Sequence, residues 1–364
     1  MDGGRLIDNS VLEAEIGALF NQAQGSVALA HSTADPRVNA ILQGVVGVFE
    51  HYFPERIHGY YLVGSYANGT AVAASDIDIH PVFKGEFGPE EAEQVYRIRD
   101  ICNGLTYVEL NVDPWPDSFA GVVYGALFQL VALPVYGADI RARFPLPSLE
   151  AYARQLVGVG GLLKVRQRAT LRYPLAYPDP AGEFYGYDGR GAADFDGVQE
   201  QGTKGLIGAA YSIVLGRLAL TAPQYIVGKA EAFHLYRQCV KDEWSDFIAQ
   251  VWQRCRQDWH YKIPTRDSDR QILRRLCRDM LDLENFYLRL YRGFMLEELA
   301  AQVADWPYGD SDYTIYSLGR LATVLYPGDA AVALALQPFL QAADLSWRQA
   351  AQSATDSLGK VQTS

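Results

Sequence analysis

The chain opens with two segments whose hydrophobic side chains recur three and four positions apart, which is the spacing of one helix face. These segments are SVLEAEIGALFNQA (residues 10–23) and DPRVNAILQGVVGVFEHYF (residues 35–53). Asp35 has a side chain of the type that caps helices, and Pro36 suits a first helical position. The pattern therefore predicts two helices before any strand.

Short runs rich in β-branched and aromatic residues follow at GYYLVG (59–64), DIDIHPVF (76–83) and TYVELNV (106–112). Between the second and third runs, GPEEAEQVYRIRDICNGL (88–105) returns to helical spacing. This alternation predicts a small mixed sheet flanked by helices.

From about Leu149 onward the hydrophobic pattern is almost wholly helical. The helical segments are residues 149–171, 205–220, 229–257 and 269–300. The change falls at FPLPS (144–148). We therefore predict an α+β fold, with a mixed-sheet domain over residues 1–147 and a C-terminal all-α helical bundle over residues 148–345. The small, polar residues 346–364 are expected to form a flexible tail.

Composition and charge narrow the class of protein. Hydrophobic residues make up 49% and charged residues 21% of the 364 positions, which is typical of globular proteins rather than disordered or fibrous ones. The net charge of −11 disfavours nucleic-acid binding, because binding through phosphates requires a basic surface.

The cysteines and the apolar runs bear on location. The four cysteines are widely separated and lack metal-type spacing, which favours reduced thiols and a cytoplasmic protein. The N-terminus has no basic region followed by an apolar core, so no secretory signal is predicted. The uncharged run 118–138 contains Pro134 and several glycines, which favours a buried helix and turn over a membrane span.

Residues 173–197 are rich in Pro, Gly, Asp and Tyr and predict an unusually long loop. Such a loop is either a lid or rim of a substrate site or an inserted surface loop, and the sequence does not decide between them.

Three acids are predicted to meet on one face of the sheet. Side chains alternate along a strand, so Asp76 and Asp78 point the same way, and Glu109 falls on the corresponding face of its run. Each acid alone has a solvated or capping interpretation. Together they would repel one another unless a divalent cation neutralised them, and oxygen-only clusters suit Mg²⁺.

Gly64 and Ser65 end the apolar run that precedes these acids. A tight turn there offers backbone N–H groups and a hydroxyl to a phosphate oxygen. Two metal ions about 3.5 to 4 Å apart can activate an attacking oxygen and bind the leaving group of an in-line displacement at phosphorus. The layout thus indicates nucleotidyl transfer.

The apolar strand ending in Gly-Ser, the Asp-Ile-Asp that follows, and the third acid resemble the nucleotidyltransferase core of the DNA polymerase β superfamily over residues 58–113. Within that superfamily, YVELNV and LPVYGADIRARFPLPS resemble the bacterial streptomycin and spectinomycin adenylyltransferases. This second resemblance extends to about residue 235.

The resemblance implies roles for individual residues. Ser65 would contact the nucleoside triphosphate, and Asp76 and Asp78 would bind two Mg²⁺ ions. Glu109 would be the general base that accepts the proton of a substrate hydroxyl, and it would lie within the metal cluster. Asp113 is the rival third acid, although its place at the start of a turn favours capping.

A lysine in the helical half would complete the nucleotide site. Lys229 matches the family's lysine that reaches the triphosphate, but its spacing from Gly216 is longer than the family pattern. Lys204 therefore competes for this role, and either lysine has the alternative of an exposed helix end.

The acceptor site is the weakest part of the resemblance. Relatives bind aminoglycosides through acids and an aromatic residue, and Asp194, Asp196 and Glu200 occupy the corresponding neighbourhood. Trp115 could stack on a substrate ring, with packing inside the first domain as its alternative.

The resemblance implies a Mg²⁺-dependent enzyme that transfers AMP from ATP to a hydroxyl of a small aminoglycoside-like or aminocyclitol-like molecule, releases pyrophosphate and confers antibiotic resistance. Nucleotidylation of a protein or RNA is the alternative, and a noncatalytic nucleotide-binding module is a third. Neither a membrane partner nor an oligomeric state is indicated.

Overall fold

The computed structural model describes residues 9–118, 128–158, 168, 170–301, 318–343 and 345–362. These residues form two compact units. The first unit runs to Pro147 and also takes in Ala192–Gln199 and Ile226–Glu231, segments that the sequence assigns to the second domain. The predicted α+β fold, with a mixed sheet in the N-terminal part and a helical C-terminal part, is confirmed.

Both helices predicted before the first strand are present, as α1 (Asn9–Ala23) and α2 (Pro36–Tyr52). The Asp35 carboxylate accepts a hydrogen bond from the Arg37 backbone N–H at 2.9 Å, so it caps α2 as predicted.

The sheet of the first unit has five strands and mixed pairing. The strands are β1 (Ile57–Val63), β2 (Ile77–Phe83), β3 (Leu110–Val112), β4 (Trp115–Pro116) and β5 (Leu133–Gly137), with α3 (Gly64–Ala67) and α4 (Pro89–Asn103) between them. Central strand β1 is antiparallel to β2 and β5, whereas β2 is parallel to β3 and β4. This strand order brings the end of β1 and the starts of β2 and β3 to the same end of the sheet.

Two strands of the sheet differ from the sequence prediction. The run predicted over residues 106–112 is a strand only from Leu110, and β5 was not predicted. Pro134 lies in β5, which pairs with β1 alone, an edge position that tolerates proline. Part of the run predicted as a buried helix and turn, residues 119–127, lies outside the described residues.

Side chains of β1 and β2 serve two hydrophobic clusters because they alternate between the faces of the sheet. On one face, Ile77 and Ile79 are fully buried with residues of α1, α2 and α4. On the other face, Tyr61 and Val82 pack with Phe128 and its neighbours. The second face is therefore closed at the Val82 end of β2, and its other end carries Asp78.

Helices dominate the second unit. They are α5 (Leu149–Leu156), α6 (Lys204–Thr221), α7 (Lys229–Leu235, which begins in the first unit), α8 (Ser245–Val251), α9 (Asp267–Ala300), α10 (Leu318–Leu325), α11 (Ala330–Leu336) and α12 (Leu345–Gln362). The helix predicted over residues 229–257 is broken at Lys241, whose φ of 51° is left-handed and ends a turn of π-helix.

The region predicted as a long loop contains short strand pairs. β6 (Gly189–Arg190) pairs with β9 (Gly202–Thr203) in the second unit, and β7 (Ala192–Asp194) pairs with β8 (Gly197–Gln199) in the first. The part predicted to be all-α thus carries a small amount of strand.

The predicted flexible tail differs from the structure, because residues 345–362 form helix α12. Small side chains at Ala350, Ala351 and Ala354 lie three and four positions apart and are buried along with Trp347. Their spacing lets a mostly polar segment pack one face of a helix.

Among the described residues, no helix is long and apolar enough to cross a membrane. All four cysteines carry free thiols, and Cys102, Cys255 and Cys277 are buried.

A buried ion pair ties the second unit together. The Glu284 carboxylate is fully buried in α9, 2.7 Å from the Arg168 guanidinium, and it accepts a hydrogen bond from the Tyr187 hydroxyl at 2.6 Å. Burial raises the pKa of Glu284, while Arg168 and Tyr187 favour its charged form. Both partners are needed, because an unpaired charge at this depth is strongly destabilising.

Helices α6 and α9 pack closely at Gly216, so a larger side chain at this position tests the packing of the second unit. A Cβ built on Gly216 would lie 1.8 Å from the hydroxyl oxygen of Tyr287, which donates to the Val157 carbonyl at 3.1 Å. Gly216→Ala is expected to lower the free energy of unfolding by about 1 to 3 kcal/mol through overpacking. Gly208→Ala is the matched control in the same helix, where the added Cβ meets no atom within 4 Å.

Alanine is more favourable in a helix than glycine, so Gly208→Ala should raise the free energy of unfolding by up to about 1 kcal/mol. Thermal and urea unfolding followed by circular dichroism measure both variants. Equal stability of the two variants would contradict the packing described for α6 and α9.

Candidate functional site

The chain turns where β1 ends and α3 begins, and this turn lies against Asp78. Gly64 has a φ of +72°, a conformation that favours glycine, and the preceding Val63 pairs with Asp78 across the sheet. A Cβ built on Gly64 would lie 2.8 Å from Oδ2 of Asp78. Both the backbone conformation and this close approach therefore require glycine here. Ser65 follows in α3 and is partly buried.

Asp76 and Asp78 flank a residue that points into the core. Ile77 is fully buried among the residues of the helical face, so Asp78 lies on the opposite face of β2. Asp76 directly precedes the strand and is close enough for its charge to act on Asp78. The Glu109 carbonyl accepts a hydrogen bond from the Ile77 backbone N–H at 2.9 Å, which places Glu109 beside the start of β2. Glu109 lies just before β3 and is partly buried.

Asn111 belongs to this site, although the sequence analysis did not single it out. It pairs with Asp78 in the parallel β2–β3 register, and its Nδ2 donates to Oδ1 of Asp78 at 2.9 Å. The available signal was its position two residues after Glu109, which places both side chains on the same face of the strand.

The Asp78 carboxylate is held in an unfavourable environment for its charge. Its pKa is raised from an ordinary value of 3.8 to about 6, first by loss of water on burial and next by the negative charge of Asp76. Glu109 adds a smaller effect in the same direction. The hydrogen bond from Asn111 and the positive charge of Lys229 act in the opposite direction.

The two candidate lysines lie in different compact units. Lys229 begins α7, is grouped with the first unit and is close enough for its charge to act on Asp78. The preceding Gly228 lies against the α3 turn, where an added Cβ would be 2.7 Å from Nδ2 of Asn68. Lys204 begins α6 in the second unit and is 5% exposed, with its ammonium 5.7 Å from the centroid of the Tyr261 ring.

The predicted Mg²⁺ requires side chains that can act as its ligands. Across the part of the chain that the structure describes, no group of three or more His, Cys, Asp or Glu side chains is arranged to hold a metal ion. Mg²⁺, however, is commonly bound by one or two carboxylates together with substrate phosphates and water. Asp76 and Asp78 fit that mode, because they are oxygen donors close enough for the charge of one to act on the other. Glu109 as a third ligand stays a prediction.

The predicted acceptor acids belong to two different compact units. Asp194 is 4% exposed, and its Oδ1 accepts the Asp196 backbone N–H at 3.0 Å, so it caps the turn between β7 and β8. Asp196 is exposed in the same turn, where the Phe195 ring lies 4.1 Å from the Arg37 guanidinium carbon. Glu200 is exposed and belongs to the second unit.

Trp115 takes the packing role that was its alternative. It is 6% exposed, with ring centroids 3.9 Å from His80 and 5.5 Å from Phe128. Its indole N–H donates to the Asp113 carboxylate at 2.8 Å, and the Asp113 carbonyl lies 3.1 Å from Nδ1 of His80. Asp113 thus bonds within this cluster, and little of the Trp115 ring remains open to a substrate.

The raised pKa of Asp78 gives a stability prediction. Because the folded protein binds this proton more tightly than the unfolded chain, stability falls as pH rises from about 4 to about 6. Asp78→Asn removes the charge and keeps an acceptor for Asn111. We expect it to stabilise the metal-free protein by roughly 1 to 3 kcal/mol at pH 8, with the gain shrinking below pH 5. Thermal unfolding in EDTA across this pH range measures the effect.

Asp117→Asn is the control with the opposite sign. The Asp117 carboxylate lies 3.0 Å from Nε2 of His58, and this contact lowers the pKa of Asp117. Its stabilising effect is present above the ordinary aspartate pKa and is lost as pH falls, so Asn should cost up to about 1 kcal/mol at neutral pH. A loss of stability in both variants would contradict the environment described for Asp78.

Comparison with known proteins agrees with this geometry. Residues 43–119 match the family model described as nucleotidyltransferase domain, a range that includes the α3 turn, β2 and β3. The match supports the resemblance to the DNA polymerase β-like superfamily, whereas the closer likeness to aminoglycoside adenylyltransferases stays a prediction. No curated protein matches the chain. The chain is an enzyme of the nucleotidyltransferase type.

Proposed function

We propose that this enzyme transfers AMP from ATP to a hydroxyl group of a small aminoglycoside-like or aminocyclitol-like molecule and releases pyrophosphate. The observation that carries the proposal is the setting of Asp78. This partly buried carboxylate lies against the Gly64 turn, beside Asp76 and within the electrostatic reach of Glu109 and Lys229. An acid in such surroundings is well suited to a cation and a triphosphate.

The nucleotide is held by groups of the first unit. The Ser65 hydroxyl, at the turn that follows β1, contacts a phosphate oxygen. Lys229 supplies a positive charge close to Asp78 and neutralises the triphosphate, which favours in-line geometry at the α-phosphorus. Catalysis by this enzyme is then mostly positioning and charge neutralisation, as in other phosphoryl transfers.

Asp76 and Asp78 hold Mg²⁺, with two ions proposed by the family resemblance. When bound, the metal polarises the phosphate oxygens and stabilises the charge that develops on the leaving pyrophosphate. The carboxylates contribute by presenting oxygen donors at the start of β2, with Asp76 just before the strand and Asp78 within it.

Glu109 accepts the proton of the attacking hydroxyl. The acceptor oxygen forms a bond to the α-phosphorus, the bond from that phosphorus to pyrophosphate breaks, and the hydroxyl proton goes to the Glu109 carboxylate. The partial burial of Glu109 at the start of β3 suits a base, since a sheltered carboxylate binds a proton more readily than a solvated one.

The proposed acceptor class rests on charge as well as on the resemblance. The protein has a net charge of −11, and Asp196 and Glu200 are exposed acids of the region in which relatives bind their substrates. An acidic surface attracts a ring that carries several positively charged amino groups. The free cysteines support a cytoplasmic location, and the proposed acceptor class implies a part in antibiotic resistance.

Pyrophosphate release tests the core of the proposal. Wild-type protein is incubated with ATP, Mg²⁺ and a panel of aminoglycosides and aminocyclitols, and pyrophosphate is measured by a coupled assay. We expect Glu109→Gln and Asp78→Asn each to lower kcat by at least about 100-fold. Asp78→Asn should do so while stabilising the fold, which separates lost chemistry from lost folding. Wild-type protein that binds no nucleotide with Mg²⁺ would refute the proposal.

Lys229 and Lys204 can be separated by the same assay. Lys229→Met should raise the KM for ATP by about tenfold or more, because a charge-assisted contact contributes about 1.5 to 3 kcal/mol. Lys204→Met is the competing variant, and Lys84→Met is a control in the first unit, where Lys84 donates to the Glu55 carbonyl on the surface. A larger effect of Lys204→Met than of Lys229→Met would reverse the assignment.

The acceptor class is tested by mass spectrometry of the reaction mixture. An increase equal to one adenylate on an aminoglycoside or aminocyclitol supports the proposal. ATP binding without turnover of any small acceptor, together with label from [α-³²P]ATP on protein or RNA, would instead support the alternative of macromolecular nucleotidylation.

A further inference from the structure

The two oxygens of the Asp78 carboxylate have different neighbours. Oδ1 accepts a hydrogen bond from Nδ2 of Asn111 at 2.9 Å, across the register pair of β2 and β3. Oδ2 faces the backbone of Gly64, close enough that an added Cβ would lie 2.8 Å away. The carboxylate is thus flanked by a donor on one side and by the main chain on the other.

We propose that Asn111 is a positioning residue that fixes the orientation of the Asp78 carboxylate toward the divalent cation. The inference rests on the proposed function, since it assigns Asp78 as a metal ligand. The last torsion of an aspartate side chain is broad, so the carboxylate does not hold one orientation by itself. A hydrogen bond to one oxygen, from a side chain on a paired strand, restricts that torsion before the metal binds.

The residue type at position 111 supports this role. Asparagine is depleted in strands, so strand propensity does not explain its place opposite Asp78. An acid at position 111 would add to the repulsion among Asp76, Asp78 and Glu109, and a lysine or arginine would compete with the cation. A neutral amide donates a hydrogen bond and leaves the charge of the site unchanged.

Asn103, the last residue of α4, provides a contrast because it also contacts β3. Its Oδ1 accepts the Val112 backbone N–H at 2.8 Å, so it supports the backbone of β3. The Asn111 amide reaches a carboxylate instead. Loss of Asn103 should therefore weaken the strand, and loss of Asn111 should change the metal site.

The test uses Mn²⁺ alone, titrated into the full-length protein, with free Mn²⁺ followed by electron paramagnetic resonance. Asn111→Leu and Asn111→Thr both remove the amide, one with an apolar and one with a β-branched hydroxyl side chain. Both should raise the Mn²⁺ dissociation constant by about 10- to 100-fold, the usual effect of losing a partner of a metal ligand. Removal of a donor to Asp78 also costs the metal-free protein stability, so the unfolding temperature in EDTA is measured for each variant, and the loss of Mn²⁺ affinity should exceed that of Asn103→Leu at an equal loss of stability.

Asn103→Leu is the control, expected to lower the unfolding temperature while changing the Mn²⁺ dissociation constant by less than about tenfold. In the pyrophosphate assay, the Asn111 variants should need about 10- to 100-fold more Mg²⁺ for half-maximal rate and recover most of kcat at saturating Mg²⁺. A role confined to folding would not produce that separation.

Three results would overturn the inference. They are wild-type Mn²⁺ affinity in either Asn111 variant, loss of affinity only in parallel with loss of stability, and absence of Mn²⁺ binding by the wild type. Failure of the proposed function is distinguishable, because it would appear as no pyrophosphate release with any acceptor while Mn²⁺ binding still depended on Asn111.

Discussion

The candidate site depends on a carboxylate that is partly buried beside another acid. Taking Asp78 out of water and placing it near Asp76 makes its negative charge unfavourable, and the pKa of Asp78 rises to about 6 as a result. The surrounding fold opposes this effect with a hydrogen bond from Asn111 and the charge of Lys229. In the proposed function a bound cation would relieve the remaining imbalance, so an arrangement that costs stability in the metal-free protein would favour metal binding.

The sheet can accommodate this arrangement because its two faces have different surroundings. Ile77 and Ile79 anchor β2 in the core beneath the helices, which fixes the intervening Asp78 on the other face. At the far end of β2 that second face is filled by Val82, Trp115 and their neighbours. A strand buried on one face and half-covered on the other can hold acids at its open end without loosening the core.

The sequence predicted the parts of the site that follow from local pattern. Strand alternation around Asp76 and Asp78 and the turn at Gly64 are period-two and turn signals, and the structure has β2 and a left-handed glycine at these places. Asn111 was missed because its importance comes from strand register, which a single run of residues does not reveal.

Other features escaped prediction for tertiary reasons. Strand β5 contains a proline, which argues against a strand until its edge position is known. The inclusion of Ala192–Gln199 and Ile226–Glu231 in the first unit depends on long-range contacts, so a boundary drawn from composition at residue 147 could not anticipate it. Helix α12 forms in a polar tail because alanines at helical spacing find a surface to pack on.

Glu284, which is fully buried, and Asp78, which is partly buried, differ in how their charge is compensated. Burial raises the pKa of both Glu284 and Asp78. Glu284 meets the Arg168 guanidinium and the Tyr187 hydroxyl directly, so its charge is compensated within the fold. Asp78 has a neutral amide as its hydrogen-bond partner, and the charged group with the largest effect on its pKa is another acid, Asp76. This contrast supports the proposal that Asp78, unlike Glu284, receives its compensating positive charge from a bound ligand.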